Sequence, residues 1–478
     1  MIWHTLNIAL YVLLGSLATV HILLNKRQSR SAMLWILCIW IAPSLGFLTF
    51  APWLGFLIYW YFGFNRVSGF SRHSPVRPGY TRGKQDRLRI LSDSIAGTPW
   101  RMGNRSQLLV DGDEAYAAML AAIRGAERSV ALQTYIYDSD DVGERFTVAL
   151  EEAAKRGVVV RVLVDGLGAW GMRRRLRQRL GAVGGEGRSY LRVDKLFRQP
   201  LINLRNHRKL LLVDGQVAFT GGMNISREHT KGPLKSLRRL SRRLNRRLQA
   251  PIRDVHFRLQ GPLVADLQAS FSADWVKSGG HALQGPAWAW QPSPRGRDQG
   301  RAVLSGPDHN RERIYELLLA ALSQARHSVD LCTPYFIPDT AFLMALRSLG
   351  HAGIRVRLLV PRLTDHFYMA WASREYYGEL ISAGVQVWEV SGSFIHTKVA
   401  RLDNDWCFVG SSNLDPRSFR LNFELNVELR SSALAKDLDR LLEGYLKDAH
   451  RVEPASIKRR HLWVRVRGAA MNLMAPYL

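Results

Sequence analysis

The sequence predicts an α/β protein made of two homologous domains that follow an N-terminal hydrophobic membrane anchor. Three observations support this fold class. A polar motif occurs twice with the same internal spacing, once in each half of the chain. Apolar strand-like runs alternate with helical periodicity around each copy, which is typical of a sheet covered by helices on both faces. The first 65 residues, by contrast, consist mainly of two long apolar runs.

The N-terminal region has the composition of a membrane anchor. Residues 5–24 contain no Asp, Glu, Lys or Arg and match the length that a hydrocarbon core of roughly 30 Å requires. Residues 32–64 form a second charge-free run, which prolines and glycines interrupt. Basic residues follow each run, and positive loops prefer the cytoplasm, so two complete spans would place one basic cluster on the opposite side, whereas a kinked or re-entrant second segment would keep both clusters cytoplasmic. Two spans are what the family resemblance described below implies, and the missing basic start disfavours a cleaved signal peptide.

The rest of the chain is predicted to contain a linker and two domains. Residues 66–105 are assigned to a linker and membrane-proximal segment, because the stretch 67–86 is rich in Gly, Pro, Ser and Arg and lacks periodicity. The first domain is expected at 106–290 and the second at 291–478.

The repeat extends beyond the motif itself. Ser129 matches Ser328 at an offset of 199 residues, and His207 matches His396 at an offset of 189. Because the offset changes by only ten residues (199 − 189), the order of elements is the same in both halves. The repeat therefore covers whole domains.

Composition predicts a polyanionic partner. The 478 residues include 67 Lys and Arg against 40 Asp and Glu, a formal net charge of +27. Residues 235–248 are expected to form an amphipathic cationic helix on an anionic bilayer, and a solvated arginine run is the alternative. Nucleic acid is disfavoured, since aromatic residues do not alternate with these arginines. Cys38, Cys332 and Cys407 lie far apart without metal-ligand spacing, which predicts neither zinc nor disulfides.

The repeated motif reads NHRKLLLVDGQVAFTGGMN at 206–224 and IHTKVARLDNDWCFVGSSN at 395–413. A single copy would more often be an exposed pair of polar side chains, but two copies with identical spacing indicate a site. The matched residues are His207 and His396, Lys209 and Lys398, Asp214 and Asp403, Gly221 and Gly410, and Asn224 and Asn413.

The motif contains the groups that phosphoryl transfer needs. His and Lys two residues apart on a strand face the same side, so two copies, together with Asn224 and Asn413, would surround one tetrahedral phosphate. One imidazole can attack phosphorus while the other protonates the leaving oxygen, and the lysines neutralise the phosphoryl oxygens. Neither metal nor cofactor is required. Asp214 and Asp403 lie five residues past the lysines, where a structural role is as compatible as a catalytic one.

With YIYDSDDVG, TPYFIPD and SSNLDPRSFRLNFELN, the doubled motif resembles the phospholipase D superfamily and, more narrowly, its membrane-anchored bacterial cardiolipin synthases. The resemblance runs over nearly the whole chain. It implies two phospholipase D-like domains related by a pseudo-twofold, with the site at their interface. It also implies a multi-pass protein of the bacterial cytoplasmic membrane whose catalytic domains face the cytoplasm.

The resemblance further implies the reaction. We expect one phosphatidylglycerol to transfer its phosphatidyl group to another through a phosphohistidine, with release of glycerol. The resemblance assigns His207 as the nucleophile and His396 as the acid and base. A phospholipase D-like hydrolase or a phosphatidyltransferase with another donor is the alternative, and a superfamily nuclease fits the apolar N-terminus less well.

Two further carboxylates are expected to orient the histidines through the far ring nitrogen. Glu424 follows His396 by 28 residues, where members of the family have a carboxylate that contacts the histidine. Asp254 takes the corresponding position after His207 once the basic insertion is removed. Ile252 stands there where the family usually has Trp.

Overall fold

The described residues form two compact units, one up to position 40 and one from position 87 onward. Most of the predicted apolar run 32–64, the stretch 67–86 and the arginine-rich 235–248 lie outside the described residues. None of the described helices is both long and apolar enough to cross a bilayer. The computed structural model describes residues 12–22, 87–190, 204–231, 251–289, 291–308 and 310–458, together with positions 33, 36, 37, 39, 40, 468 and 471.

In the N-terminal unit, residues 12–22 are helical. The Trp40 indole donates a hydrogen bond to Thr19 Oγ1 at 2.9 Å, and the Thr19 hydroxyl donates to the Gly15 carbonyl at 2.8 Å. A Cβ on Gly15 would lie 3.3 Å from the Trp40 ring. A small residue at this position therefore lets the indole pack closely on the helix.

The first half of the larger unit begins within the stretch predicted as linker. Helix α1 packs against a helix of the second half, and strand β1 is paired on both sides, so the folded body starts before residue 106. The elements are α1 (Arg87–Ala96), β1 (Arg101–Val110), α2 (Asp111–Arg124), β2 (Ser129–Thr134), α3 (Asp141–Lys155), β3 (Val159–Asp165), α4 (Arg173–Gly181), β4 (Glu186–Tyr190), β5 (Arg205–Asn206), β6 (Leu210–Val213), β7 (Val217–Gly221), β8 (Val255–Gln260) and α5 (Leu263–Lys277).

The second half repeats this order. Its elements are β9 (Asp298–Ser305), α6 (Arg313–Leu322), β10 (Ser328–Cys332), α7 (Thr340–His351), β11 (Arg355–Pro361), α8 (Phe367–Ser373), α9 (Tyr377–Ser382), β12 (Gln386–Val390), β13 (Val399–Leu402), β14 (Trp406–Gly410), α10 (Pro416–Arg420), β15 (Asn422–Arg430), α11 (Ser432–Leu446), β16 (Ala449–Arg451) and α12 (Pro454–Lys458).

The strands of both halves form one mixed sheet. The strand order is 4-3-2-6-7-8-1 in the first half and 12-11-10-13-14-15-9 in the second, so each of these strands has an equivalent, whereas β16, beside β12, and β5, beside β15, have none. Strands β1 and β9, which are equivalent, pair antiparallel and join the halves, with a register shift between Arg101 and Asn104. The prediction of two repeated α/β halves is confirmed.

Three apolar cores hold these layers together. The central core contains Phe271 of α5 and Leu438 of α11, packed with strand residues from both halves, such as Leu210 and Val399. A second core lies under α2, α3 and α4, and a third under α6, α7 and α9. Because one core is shared by both halves, the position of each half depends on the other.

The site lies where strand ends meet. Strands β2 and β3 are parallel and β6 is antiparallel to β2, so the carboxyl ends of β2 and β3 meet the amino end of β6 at one edge. Strands β10, β11 and β13 repeat this arrangement. His207 and His396 each precede the first residue of β6 or β13 by three positions, which places them at these two edges.

Candidate active site

Each histidine backbone is held by a strand of the opposite half. The N–H of His207 donates to the carbonyl of Phe423 at 2.9 Å, and the N–H of His396 donates to the carbonyl of Arg253 at 2.7 Å. Parallel pairing accompanies both bonds, between Asn206 and Phe423 and between Arg253 and Ile395. The two motifs are thus brought together by backbone pairing between the halves.

The two orienting carboxylates pair with the histidines across the halves. Both carboxylate oxygens of Glu424 lie 3.0 Å from His207 Nδ1, and Asp254 Oδ2 lies 2.7 Å from His396 Nδ1. This corrects the pairing within each half that the sequence position had indicated. The reason is local, because each carboxylate comes one residue after the carbonyl that accepts the histidine N–H.

This pairing fixes how the rings can react. When Nδ1–H donates to the carboxylate, Nε2 presents its lone pair to the site. Burial lowers the pKa of His207 to about 4, although Glu424 acts to raise it. Burial, with Lys398 and Lys209, lowers the pKa of His396 well below its ordinary value. Both rings are therefore neutral near pH 7 in the free protein.

The two lysines lie buried beside the histidines. The Lys209 ammonium donates to the carbonyl of His207 at 2.7 Å, and the Lys398 ammonium donates to the carbonyl of His396. Lys398 Nζ also lies 4.0 Å from Asp254 Oδ2. Burial lowers the pKa of Lys398 to about 8 and that of Lys209 well below its ordinary value. Each lysine thus brings a buried amino group, and below its pKa a positive charge, next to a motif histidine.

The two carboxylates have different surroundings. The hydroxyl of Ser411 and the amide of Asn422 both donate to Glu424, the latter at 3.1 Å. Gly222 takes the place of Ser411 in the first motif, and a Cβ there would lie 2.4 Å from Asp254 Oδ1. Burial acts to raise the pKa of Glu424, but His207, Lys209 and the Ser411 hydroxyl together bring the pKa below its ordinary value. Burial raises the pKa of Asp254.

The two motif asparagines are buried next to the strand ends. The Asn224 side-chain oxygen accepts the N–H of Ile136 at 3.2 Å, which ties it to the loop after β2. The side-chain oxygen of Asn413 is buried and has no hydrogen-bond partner among the described residues. These contacts place both amides beside the motif strands, and phosphate binding by them remains a proposal.

The two motif aspartates lie away from the histidines, at positions that favour the structural role over the catalytic one. Asp214 follows β6, so a strand of four residues, roughly 13 Å at 3.3 Å per residue, separates it from the histidine end. Its carboxylate accepts the N–H groups of Glu127, Arg128 and Ser129. Asp403, the equivalent residue of the second half, accepts the N–H groups of Arg326, His327 and Ser328 in the same way.

We expect Asp214→Ala to lower stability and to leave the chemistry largely intact. The substitution removes the acceptor of three backbone N–H groups, and φ is 53° at this position, which a non-glycine residue without a polar side chain tolerates poorly. The free energy of unfolding should fall by about 2–4 kcal/mol. Chemical denaturation in detergent measures it, with Asp214→Asn as a milder control. A hundredfold loss of turnover at unchanged stability would contradict this role.

Sequence reasoning missed several side chains at the site. The Tyr135 ring lies edge-on to His207, with ring centroids 5.1 Å apart. Arg208 is buried, forms an ion pair with Asp274 at 2.8 Å and donates to the carbonyl of Glu424 at 3.1 Å. The ring of His229 lies 6.2 Å from that of His396, and its Nδ1 is buried without a partner among the described residues. Arg208 has Thr397 as its counterpart in the second motif, so comparing the copies did not identify it.

Within the described residues, no cluster of three or more His, Cys, Asp or Glu side chains is arranged to hold a metal ion. The site instead presents two imidazoles, each backed by a carboxylate, and two ammonium groups. This arrangement suits nucleophilic attack on a phosphodiester with proton transfer to the leaving oxygen.

Comparison with known proteins gives the family. The family described as "Cardiolipin synthase, PLD-like domain" matches residues 119–238 and 318–446. The cardiolipin synthase of Halalkalibacterium halodurans is 30% identical over 96% of this chain and 91% of the relative. The major cardiolipin synthase ClsA of Bacillus subtilis is 30% identical over 98% of each.

A solved structure shows the same fold. The crystal structure of phosphatidylserine synthase from Haemophilus influenzae Rd KW20 aligns with a TM-score of 0.60 at 13% identity, over 82% of this chain and 100% of the other. At this identity the likeness concerns the fold alone. Together with the two matched regions, one in each half, these comparisons show that the chain belongs to the cardiolipin synthase family of proteins with phospholipase D-like domains.

Proposed function

We propose that the protein transfers the phosphatidyl group of one phosphatidylglycerol to a second phosphatidylglycerol, which yields cardiolipin and free glycerol. The names of its relatives support this reaction. The observation that carries it is the convergence of two carboxylate-backed imidazoles, one from each half. Transfer to a second alcohol requires the phosphatidyl group to stay on the enzyme, and one histidine can hold it while the other moves protons.

In the first step, Nε2 of His207 attacks phosphorus and forms a P–N bond. The P–O bond to the glycerol headgroup breaks, and His396 donates its proton to that oxygen. Glycerol leaves, and His207 carries the phosphatidyl group. Glu424 balances the positive charge that the His207 ring acquires. His396 ends the step neutral.

In the second step, His396 removes the proton from a glycerol hydroxyl of the second phosphatidylglycerol. The resulting oxygen attacks phosphorus, the P–N bond breaks, and His207 returns to its neutral form. The proton on His396 is ready for the next cycle. An approaching phosphodiester, which is anionic, raises the pKa of His396 against the effect of the two lysines and allows it to begin the cycle protonated.

Two properties support work at a bacterial cytoplasmic membrane. The apolar runs 5–24 and 32–64 supply an anchor, and the net charge of +27 suits an anionic lipid surface. The equivalence of β1 and β9, which pair antiparallel, supports a pseudo-twofold relation between the halves. We propose that the catalytic halves face the cytoplasm and that the cationic run 235–248 adds to membrane attachment.

The test is to incubate the purified full-length protein with labelled phosphatidylglycerol alone and to separate the lipid products by thin-layer chromatography. Cardiolipin and an equal amount of glycerol are expected without nucleotide or added divalent metal. Phosphatidic acid as the main product would indicate a hydrolase. A requirement for a nucleotide-activated lipid would exclude phosphatidylglycerol as the donor.

The alkaline limb of the pH profile should depend on Lys398. Its pKa lies at about 8, so the ammonium is present below that pH and is lost as the pH rises through it. Because kcat/KM reports the free enzyme, we expect kcat/KM to fall above about pH 8. Lys398→Arg should move this limb to higher pH, and Lys398→Met should lower turnover about a hundredfold. An identical limb in the arginine variant would assign it to another group.

A further inference from the structure

Four large apolar side chains are exposed in or directly after two loops that occupy equivalent positions in the two halves, Phe367 being the first residue of α8. One loop follows β3, and the other follows β11 and leads into α8. Leu167 and Trp170 of the first loop are 47% and 53% exposed, and Leu363 and Phe367 of the second are 37% and 48% exposed. We call these four residues the apolar rim. Both loops leave the sheet at the edges where the histidines lie.

The first loop borders His207 directly. Asp165, the last residue of β3, accepts the N–H of Asn206 at 3.0 Å. Gly168 packs so closely on Tyr135 that a Cβ there would lie 2.9 Å from its ring, and this ring is the one that contacts His207. The exposed Leu167 and Trp170 therefore flank the side of the site that contains the first motif.

The second loop borders His396 through a row of aromatic rings. The Tyr335 hydroxyl donates to Asp365 of this loop at 2.6 Å. The Tyr335 ring lies 6.3 Å from that of Phe394, which in turn lies 5.7 Å from that of His396. Helix α8 is fixed by buried Met369, so the exposure of Phe367 is not the result of a loose segment.

Basic side chains accompany the apolar ones. The Arg173 guanidinium lies 4.1 Å from the centroid of the Trp170 ring, a cation–π contact. Arg174, Arg175 and Arg177 follow it on α4 and are exposed. An exposed indole with arginines beside it matches a bilayer interface, where aromatic rings lie at the headgroup level and cations contact anionic lipid.

We propose that the apolar rim contacts the surface of a bilayer containing anionic phospholipid and holds the site against the headgroups. This inference rests on the proposed function, because a lipid phosphodiester at the headgroup level must reach both histidines. The two loops flank the two histidines, so a bilayer that contacts both loops presents its phosphates between them. Arg173 and its neighbours on α4 supply the matching charge.

The test compares the full-length protein on two forms of phosphatidylglycerol: bilayers in proteoliposomes and a dispersed short-chain form. Trp170→Ser combined with Phe367→Ser should lower the ratio of bilayer to dispersed activity about tenfold or more, since burying a large apolar side chain changes a partition equilibrium by roughly that factor. Val148→Ser combined with Val276→Ser is the matched control, because these side chains are 39% and 47% exposed on helices outside the rim. An unchanged ratio in the rim variant would overturn the proposal.

A second measurement locates the rim without relying on activity. Cys332 and Cys407 are buried. In a Cys38→Ala background, the variant Trp170→Cys can therefore carry an environment-sensitive dye at position 170. We expect the emission of this label to be blue-shifted in proteoliposomes with anionic lipid. The same dye on Val276→Cys should show no blue shift. An equal emission shift at both positions would contradict the proposed contact between the apolar rim and the bilayer. A change in sedimentation that shows self-association through the rim would contradict it as well. Formation of phosphatidic acid would overturn the proposed reaction but leave both rim measurements valid.

Discussion

Replacing either motif histidine by alanine should abolish turnover of phosphatidylglycerol. His207→Ala removes the group proposed to form the P–N bond, and His396→Ala removes the proton donor and acceptor for the two glycerol oxygens. Losses of about 10⁴-fold or more are expected, as for other enzymes in which a nucleophile or its partner is removed. His281→Ala, at an exposed position, is the matched control. The measurement is the rate of cardiolipin formation from labelled lipid.

An activated donor separates the two roles. Phosphatidyl-p-nitrophenol has a leaving group that needs no protonation, so His396→Ala should release about one equivalent of nitrophenolate per enzyme and then stop. His207→Ala should release none. A burst from His207→Ala and none from His396→Ala would exchange the two roles. Near-normal turnover of either variant on phosphatidylglycerol would exclude the covalent mechanism.

The crossed carboxylates should affect different steps. Glu424 contacts His207, so Glu424→Gln should lower the rate of the nitrophenolate burst by about a hundredfold or more. Asp254 contacts His396, so Asp254→Asn should leave the burst close to that of the native protein and slow the steady state by a similar factor. Stopped-flow absorbance measures both phases in one experiment.

Two controls limit the interpretation of these variants. Both substitutions preserve shape, so melting temperatures close to that of the native protein would show that the fold is retained. Ser411→Ala, which removes a hydroxyl donor to Glu424, should reproduce the Glu424→Gln pattern in weaker form. The opposite pattern, with Asp254→Asn slowing the burst, would mean that each carboxylate acts within its own half. Normal rates in both variants would mean that other groups orient the rings.

Much of the fold could be predicted because repetition and periodicity are local properties of a sequence. The alternation of apolar runs with helical spacing predicted α/β halves, and the matched offsets of Ser129 and His207 predicted that whole domains repeat. The structure confirms both. The structure has α1 and the first residues of β1 within the stretch assigned to a linker, because that assignment rested on the composition of 67–86 and was extended to residue 105.

The side chains around the motifs were harder to predict for a different reason. Arg208 and His229 have no identical counterpart in the other half, so comparing the two copies could not identify them. Asp214 and Asp403 do repeat, but a repeated residue can be kept by a repeated turn as readily as by a site. Each of these two carboxylates accepts three backbone N–H groups, which indicates that the repeated turn requires the aspartate.

By itself, the sequence determined that two polar motifs with identical spacing exist, that each leads into a strand, and that the chain resembles its family. Only the tertiary structure decided which carboxylate serves which histidine. Identical spacing in both halves makes pairing within a half and pairing across halves equally compatible with the sequence. The choice depends on the parallel pairing of Asn206 with Phe423 and of Arg253 with Ile395, contacts between residues more than 140 positions apart that local pattern does not encode.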